Sequence, residues 1–209
     1  MLAPEQFLGF LVAAVAITAS PGPDNLMVLG VGVSQGRRQG VAFGLGCAFG
    51  CLSHTLLAVV GVSALVAASP WAFTALKVGG GLYLLWLGLQ ALRSRGAAAL
   101  QARPGLAAGT TAALFLRGVL ANAINPKVVL FFLSFLPQFV VADRGSVGLQ
   151  LAALGVVFTA QAAVLFGLLG FFAGSVGQGL QRWPQAGMWL DRLAGVIFIG
   201  LGLRLIVAR

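Results

Sequence analysis

No aspartate, glutamate, lysine or arginine occurs between Arg38 and Lys77, and none occurs between Arg144 and Arg182. A helix needs ~20 apolar residues to cross ~30 Å of hydrocarbon. Each of these charge-free stretches is longer than one crossing, so the chain must fold with apolar solvent around much of it. Composition agrees, since only 8% of the 209 residues are charged, against ~25% in an average soluble chain. A soluble globular enzyme and a disordered chain are both excluded. Lys and Arg outnumber Asp and Glu by 13 to 4, yet the bases are scattered between apolar runs and form no basic face. The lipid bilayer is therefore an expected partner and nucleic acid is not. Two cysteines cannot frame a disulfide scaffold, and with a single histidine they make a poor metal set, so no metal or cofactor is expected.

Apolar runs cover residues 7–33, 41–68, 71–92, 118–141, 147–176 and 188–207. Segments such as LYLLWLGL and VVLFFLSFL are apolar on every side, whereas a membrane β-barrel strand alternates. The expected fold is an all-α integral membrane protein with six transmembrane helices. SQGRRQG, ASPW, ADRGS and GQGLQRWPQAG mark the breaks, and RSRGAAALQARPG, the longest, divides the chain into three helices plus three. One membrane domain is expected, with a first repeat over 1–95, a cytoplasmic linker over 96–113 and a second repeat over 114–209. MLAPEQ has no base before its apolar run, so the first span is expected to be retained and not cleaved as a signal.

Arg37 and Arg38 lie in the first loop, Arg93, Arg95 and Arg103 in the third, and Arg182 with Arg192 at the fifth. The second loop has only Lys77 nearby, and the fourth has Arg144 beside Asp143. The positive-inside rule then places the odd loops in the cytoplasm and both termini in the periplasm, although Arg204 and Arg209 run against the count. Gly40/Gly44, Gly46/Gly50 and Gly170/Gly174 have the small-xxx-small spacing that lets helix backbones approach. Close packing inside one bundle is the favoured reading, with a homo-oligomer interface as the other use of that spacing.

An ionisable side chain at the centre of a bilayer is costly and by default marks a site or pathway. Asp24, His54 and Lys127 are the candidates. Asp24 lies in Ser20-Pro21-Gly22-Pro23-Asp24-Asn25, and Lys127 follows Asn122, Asn125 and Pro126. Proline removes a backbone donor and pushes the residue before it out of the helical region, so each segment is expected to break and restart. Ser20 or Gly22 is expected to cap the restart in the first span, and Asn125 to cap the one in the fourth with Pro126 as its first helical residue. Breaks in the opening helix of each half point to the binding site of a secondary transporter. Because three is odd, the second half enters the membrane in the opposite sense, giving a 3+3 inverted repeat that brings Asp24 and Lys127 face to face near midplane.

His54 is read either as a proton carrier or as a hydrogen-bonded packing residue. Gln138 and Gln161 line the path or bond between helices, while Lys77 and Arg117 snorkel from span ends. Cys47 and Cys51, one turn apart, are read as small packing residues.

SPGPDNLMVLGVGVSQG, LKVGGGLYLLWLGLQALR, NAINPKVVLFFLSFLPQF and LAGVIFIGLGLRLI, in this order over nearly the whole chain, resemble the LysE/RhtB family of bacterial amino-acid exporters. The family's PGP motif maps onto Pro21, Gly22 and Pro23, and its NPK motif onto Asn125, Pro126 and Lys127. The resemblance implies an efflux carrier of the bacterial cytoplasmic membrane, driven by the proton motive force, that exports amino acids or close derivatives. It leaves the substrate open. The alternatives are a membrane thiol-disulfide transfer protein using Cys47 and Cys51, which lack a CxxC spacing or an adjacent proline, and a passive small-solute channel.

Overall fold

Two proline breaks organise the computed structural model, which describes residues 4–62, 69–94, 107–141, 144–182 and 184–207. Helix α1 (Pro4–Ala19) stops at Ser20, and α2 (Pro23–Gln35) restarts after Gly22 with Pro23 in its first turn. Helix α5 (Thr111–Ala123) stops at Ile124, and α6 (Pro126–Leu130) restarts with Pro126 in its first turn. The axes bend by 55° at the first break and 52° at the second. Beyond α6 the chain stays helical through a wide turn at Phe131–Phe135 and a tight one at Leu136–Phe139.

The remaining elements are α3 (Arg37–Leu57, continued by a wide turn at Ala58–Val62), α4 (Pro70–Arg93), α7 (Val147–Phe171), α8 (Ala173–Arg182) and α9 (Pro184–Val207). Ser69 and Ser146 cap α4 and α7 by accepting from the N–H groups of Ala72 and Leu149, which satisfies donors that a helix start leaves free. Gly36 joins α2 to α3 at a φ of 95°, a conformation that costs glycine little.

The described residues form helices and no strands. Arg37–Gly61, Thr74–Arg93 and Val147–Phe171 are long and apolar enough to cross a membrane, and counting each bent pair as one crossing raises the number to five. The sixth expected span corresponds to α9, where Asp191, Arg192 and Arg204 dilute the apolar content. The expected span at 147–176 ends earlier, at Phe171. The residues beyond it, AGSVGQGLQR, are polar along one side and make the separate amphipathic helix α8. The last part of the expected span at 41–68, and Arg95, Arg103, Asp143 and Arg209, lie outside the described residues.

Glycine sets the helix packing. Gly40 meets Gly170, Gly44 meets Phe166, and Gly155 meets Thr55. Numbers rise along α3 as they fall along α7, so the two run antiparallel. On another face of α3, Gly46 lies against Phe115 and Gly118, and Gly50 against Val119 and Asn122, so α3 and α5 run parallel. Helices α4 and α9 oppose each other through two reciprocal pairs, Gly81 with Gly202 and Gly88 with Gly195. In lipid, where no hydrophobic force draws helices together, such backbone proximity supplies the van der Waals contact that does. Gly174 differs from its partner in the expected pair, since nothing lies within 4 Å of a Cβ built on it.

An aromatic core of Phe10, Phe131, Phe132, Phe135, Phe139 and Phe158 fills the space under the second break. The outside is apolar as well: Leu120, Ile124, Val156 and Val196 are all exposed. Trp71 near the start of α4 and Trp189 near the start of α9 are exposed too, in the manner of residues that sit at a membrane interface.

Candidate functional site

Both breaks open onto one buried polar cluster, and Asn122 in the last turn of α5 is its hub. Its Nδ2 donates to Asp24 Oδ2 at 2.7 Å. Its backbone carbonyl accepts from His54 Nε2 at 3.0 Å and from the Asn125 N–H at 2.8 Å. Its Oδ1 lies 3.5 Å from Cys51 Sγ. A carbonyl can only accept, so the bonded Nε2 of His54 carries a proton. Asn122 thus joins α2, α3 and α5 through one side chain and one carbonyl.

Lys127 is the cation of the cluster. Asn125 caps α6 by accepting from the Lys127 N–H at 3.0 Å, which fixes the first turn of the restarted helix. The ammonium then reaches across to the other break, where Nζ donates to the Ser20 carbonyl at 3.0 Å. It also lies 5.7 Å from the centre of the Phe198 ring. A Cβ on Gly22 would come within 2.9 Å of Nζ, so the PGP segment needs its glycine to let the ammonium in. Gly22 is itself the cap residue of α2, in extended backbone and without a side-chain hydrogen bond. Ser20 does not cap: its hydroxyl turns back to the Ala16 carbonyl.

Asp24 occupies the first turn of α2, where the helix dipole favours a carboxylate. Asp24 and Lys127 line the same small cavity, but no ion pair joins them directly among the described residues. The bonds instead cross over: the acid of the first half is held by Asn122 of the second, and the base of the second by Ser20 of the first. Asn25 Nδ2 donates to the Thr18 carbonyl at 2.9 Å and Gln161 Nε2 to the Thr18 hydroxyl at 2.9 Å, so both approach the cluster from its edge. Asp24 Oδ1, His54 Nδ1, Asn125 Nδ2 and Gln161 Oε1 are buried and make no hydrogen bond among the described residues.

The structure also places the polar residues read as lying beside the site or away from it. Gln138 bonds locally to the Ser134 carbonyl, and Arg117 donates to the Ala107 carbonyl near a helix start. Cys47 and Cys51 are free, fully buried thiols. Cys51 also lines the small cavity beside Asn122, a polar role that a packing reading does not include.

Two spaces flank the Lys127 side chain. The inner one, among Asp24, Asn25, Cys51 and Asn122, has a volume of about 10 Å³, room for about one water molecule. The outer one has a volume of about 620 Å³ and runs from the PGP and NPK breaks along α4 and α9, past Tyr83 and Trp86, to Gln90, Ser94 and Asp191. Sequence reasoning missed Asp191, one of only 4 acidic residues in the chain. Its signal was an acid inside the sixth apolar run, hidden by the neighbouring Arg192 that was counted with the fifth loop.

The family model described as LysE type translocator matches residues 15–209. An uncharacterised membrane protein of Vibrio cholerae is 34% identical, covering 97% of each chain. The threonine efflux protein of Salmonella typhimurium is 33% identical over 98% of this chain and 100% of its own length. The leucine efflux protein of an Enterobacter species is 29% identical over 96% of this chain and 94% of its own. No solved structure matches the chain.

Proposed function

The chain belongs to the LysE-type translocator family, and from that premise we propose that it is a secondary active carrier exporting amino acids or close derivatives across the bacterial cytoplasmic membrane, drawing on the proton motive force. The observation that carries the reading is the Lys127 ammonium, buried at the proline break of the opposite half and held there by one backbone carbonyl. A carboxylate is a stronger partner for an ammonium than a neutral carbonyl. It would take the place of Ser20 on Nζ, with the uncapped first turn of α2 beside it offering N–H groups. Release of Ser20 would free one half from the other at that point, which couples substrate capture to movement of the halves.

For the architecture we propose six crossings in a 3+3 inverted repeat, with α1–α2 and α5–α6 as the broken openers and α9 as the sixth span. Support comes from the helix senses, parallel for α3 with α5 and antiparallel for α3 with α7 and α4 with α9, which are those of a chain that reverses at each crossing. The reciprocal bonding of the two breaks has the form expected near a pseudo-two-fold axis. Protons are the proposed coupling ion, with the Asp24 carboxylate and the free Nδ1 of His54 as the groups able to take one up. The thiol-transfer alternative is disfavoured by the burial of both cysteines, since thiol exchange needs a thiol that a partner can reach.

The test is efflux of a panel of labelled amino acids, with threonine and leucine first, from cells with and without the protein, before and after collapse of the proton gradient. Expression-dependent efflux that stops on collapse is expected. Absence of efflux for every amino acid, with the protein verified in the membrane, overturns export; efflux that survives collapse overturns the coupling.

A further inference from the structure

We infer that the Asp191 end of the outer cavity is a separate binding site for an organic ammonium group, where cargo is held before its carboxylate reaches Lys127. The inference rests on the export reading and names the half of the substrate that the Lys127 site leaves unrecognised.

Asp191 is only 6% exposed although it lines the cavity. Its polar partner is the Ser94 hydroxyl, which donates to Oδ2, and no lysine or arginine pairs with it among the described residues. A buried carboxylate with a single neutral donor has unused accepting capacity, and without a cation it is a costly group to keep in a membrane. The structural role, tying the end of α4 to α9, needs only a neutral acceptor and does not explain the charge. The surroundings suit an ammonium. Gln90 contributes an amide at this end, while the rings of Tyr83 and Trp86 line the wall further along, level with Phe198. A buried carboxylate with an oxygen left to accept, beside an amide, offers the acceptors that an alkylammonium ion needs.

Spacing separates this site from the one at Lys127. Phe198, beside the Lys127 ammonium, and Asp191 are two turns apart on α9, a rise of ~10 Å. The ammonium and carboxylate of one α-amino acid are too close together to span that distance, so the two ends of the cavity act in succession. Ser94 and Asp191 lie towards the ends of α4 and α9 that carry Arg93 and Arg192, with Arg182 at the end of α8 just before α9 in the chain. On the positive-inside count this is the cytoplasmic side, from which an exporter loads.

The purified protein, with Asp191→Asn and Asp191→Glu variants, is titrated with 1-amino-2-propanol and 3-methylbutylamine, the amines left when threonine and leucine lose their carboxylates, and with 4-methylpentanoate, which keeps the carboxylate and lacks the amine. The readout is the ligand-induced rise in melting temperature. At least one amine is expected to stabilise the wild type and the Asp191→Glu variant and to lose that effect in Asp191→Asn, which keeps its response to 4-methylpentanoate. In efflux, Asp191→Asn is expected to raise KM by about tenfold or more, the loss of a charged hydrogen bond, with little change in maximal rate. No amine response in the wild type, or one undiminished in Asp191→Asn, overturns the site. A fall in maximal rate and protein amount at unchanged KM would assign Asp191 to structure alone and also overturns it. Absence of amino-acid efflux alongside an Asp191-dependent amine response overturns the export reading and leaves the ammonium site standing.

Discussion

A single carbonyl and a single side-chain amide hold the charges of Lys127 and Asp24. Neither Asp24 nor Lys127 has the other as its hydrogen-bond partner, yet both face one small cavity and offset each other's charge there. Removing one member of a buried charge pair typically costs ~3–5 kcal/mol, because the survivor is left uncompensated, while neutralising both is much less costly. Asp24→Asn and Lys127→Gln are each expected to lower the amount of protein in the membrane and to reduce export by about tenfold or more. The double variant is expected to regain the amount and not the export, as scored by quantitative blot and efflux in the same cells. A double variant no more abundant than the poorer single would show that the charges do not compensate. Gly22→Ala gives a complementary result: the clash falls on the flexible end of Lys127, so amount is expected to hold while export falls.

At the scale of elements, the breaks were legible in the sequence and the hydrogen bonds that join them were not. Pro23, Pro126 and the Asn125 cap act within a few residues of themselves, so the restart points follow from local chemistry. That Asn122 would hold Asp24, and that Asp191 would face the same cavity as Lys127, depends on which helices lie side by side, and apolar runs with no polar face carry little of that information. The wide turn at Phe131–Phe135 is likewise a tertiary feature, set by aromatic packing on Phe158 and Phe139. Glycine spacing was legible as close packing, but the partner of each glycine was not. This gives a sharp contrast between two substitutions. Gly46→Ala drives a Cβ into the Phe115 backbone, whereas Gly167→Ala meets nothing within 4 Å. The first is expected to cost ~1–3 kcal/mol and to lower the melting temperature of the purified protein, and the second to be close to neutral.

For the whole molecule, the proposed orientation follows from the bases at the start of α3, at the ends of α4 and α8 and near the start of α9. A reporter active only in the periplasm is expected to be active when fused at the C-terminus and silent when fused after Arg103. The reverse pattern would overturn the orientation and would move the Asp191 end of the outer cavity to the outside, where an exporter releases and does not load. Within the bundle, α3 is gripped on two faces by backbone contacts that tolerate no added methyl group, against α5 and α7. Helices α4 and α9, which wall the outer cavity, pack chiefly on one another. This separation has an evolutionary consequence. Substitutions at Tyr83, Trp86 or Gln90 would reshape the outer cavity, proposed above to receive cargo, without entering the glycine seams that hold the bundle together. On the proposed reading, a lineage can thus change what the carrier accepts in single steps that leave the packing of the bundle untouched.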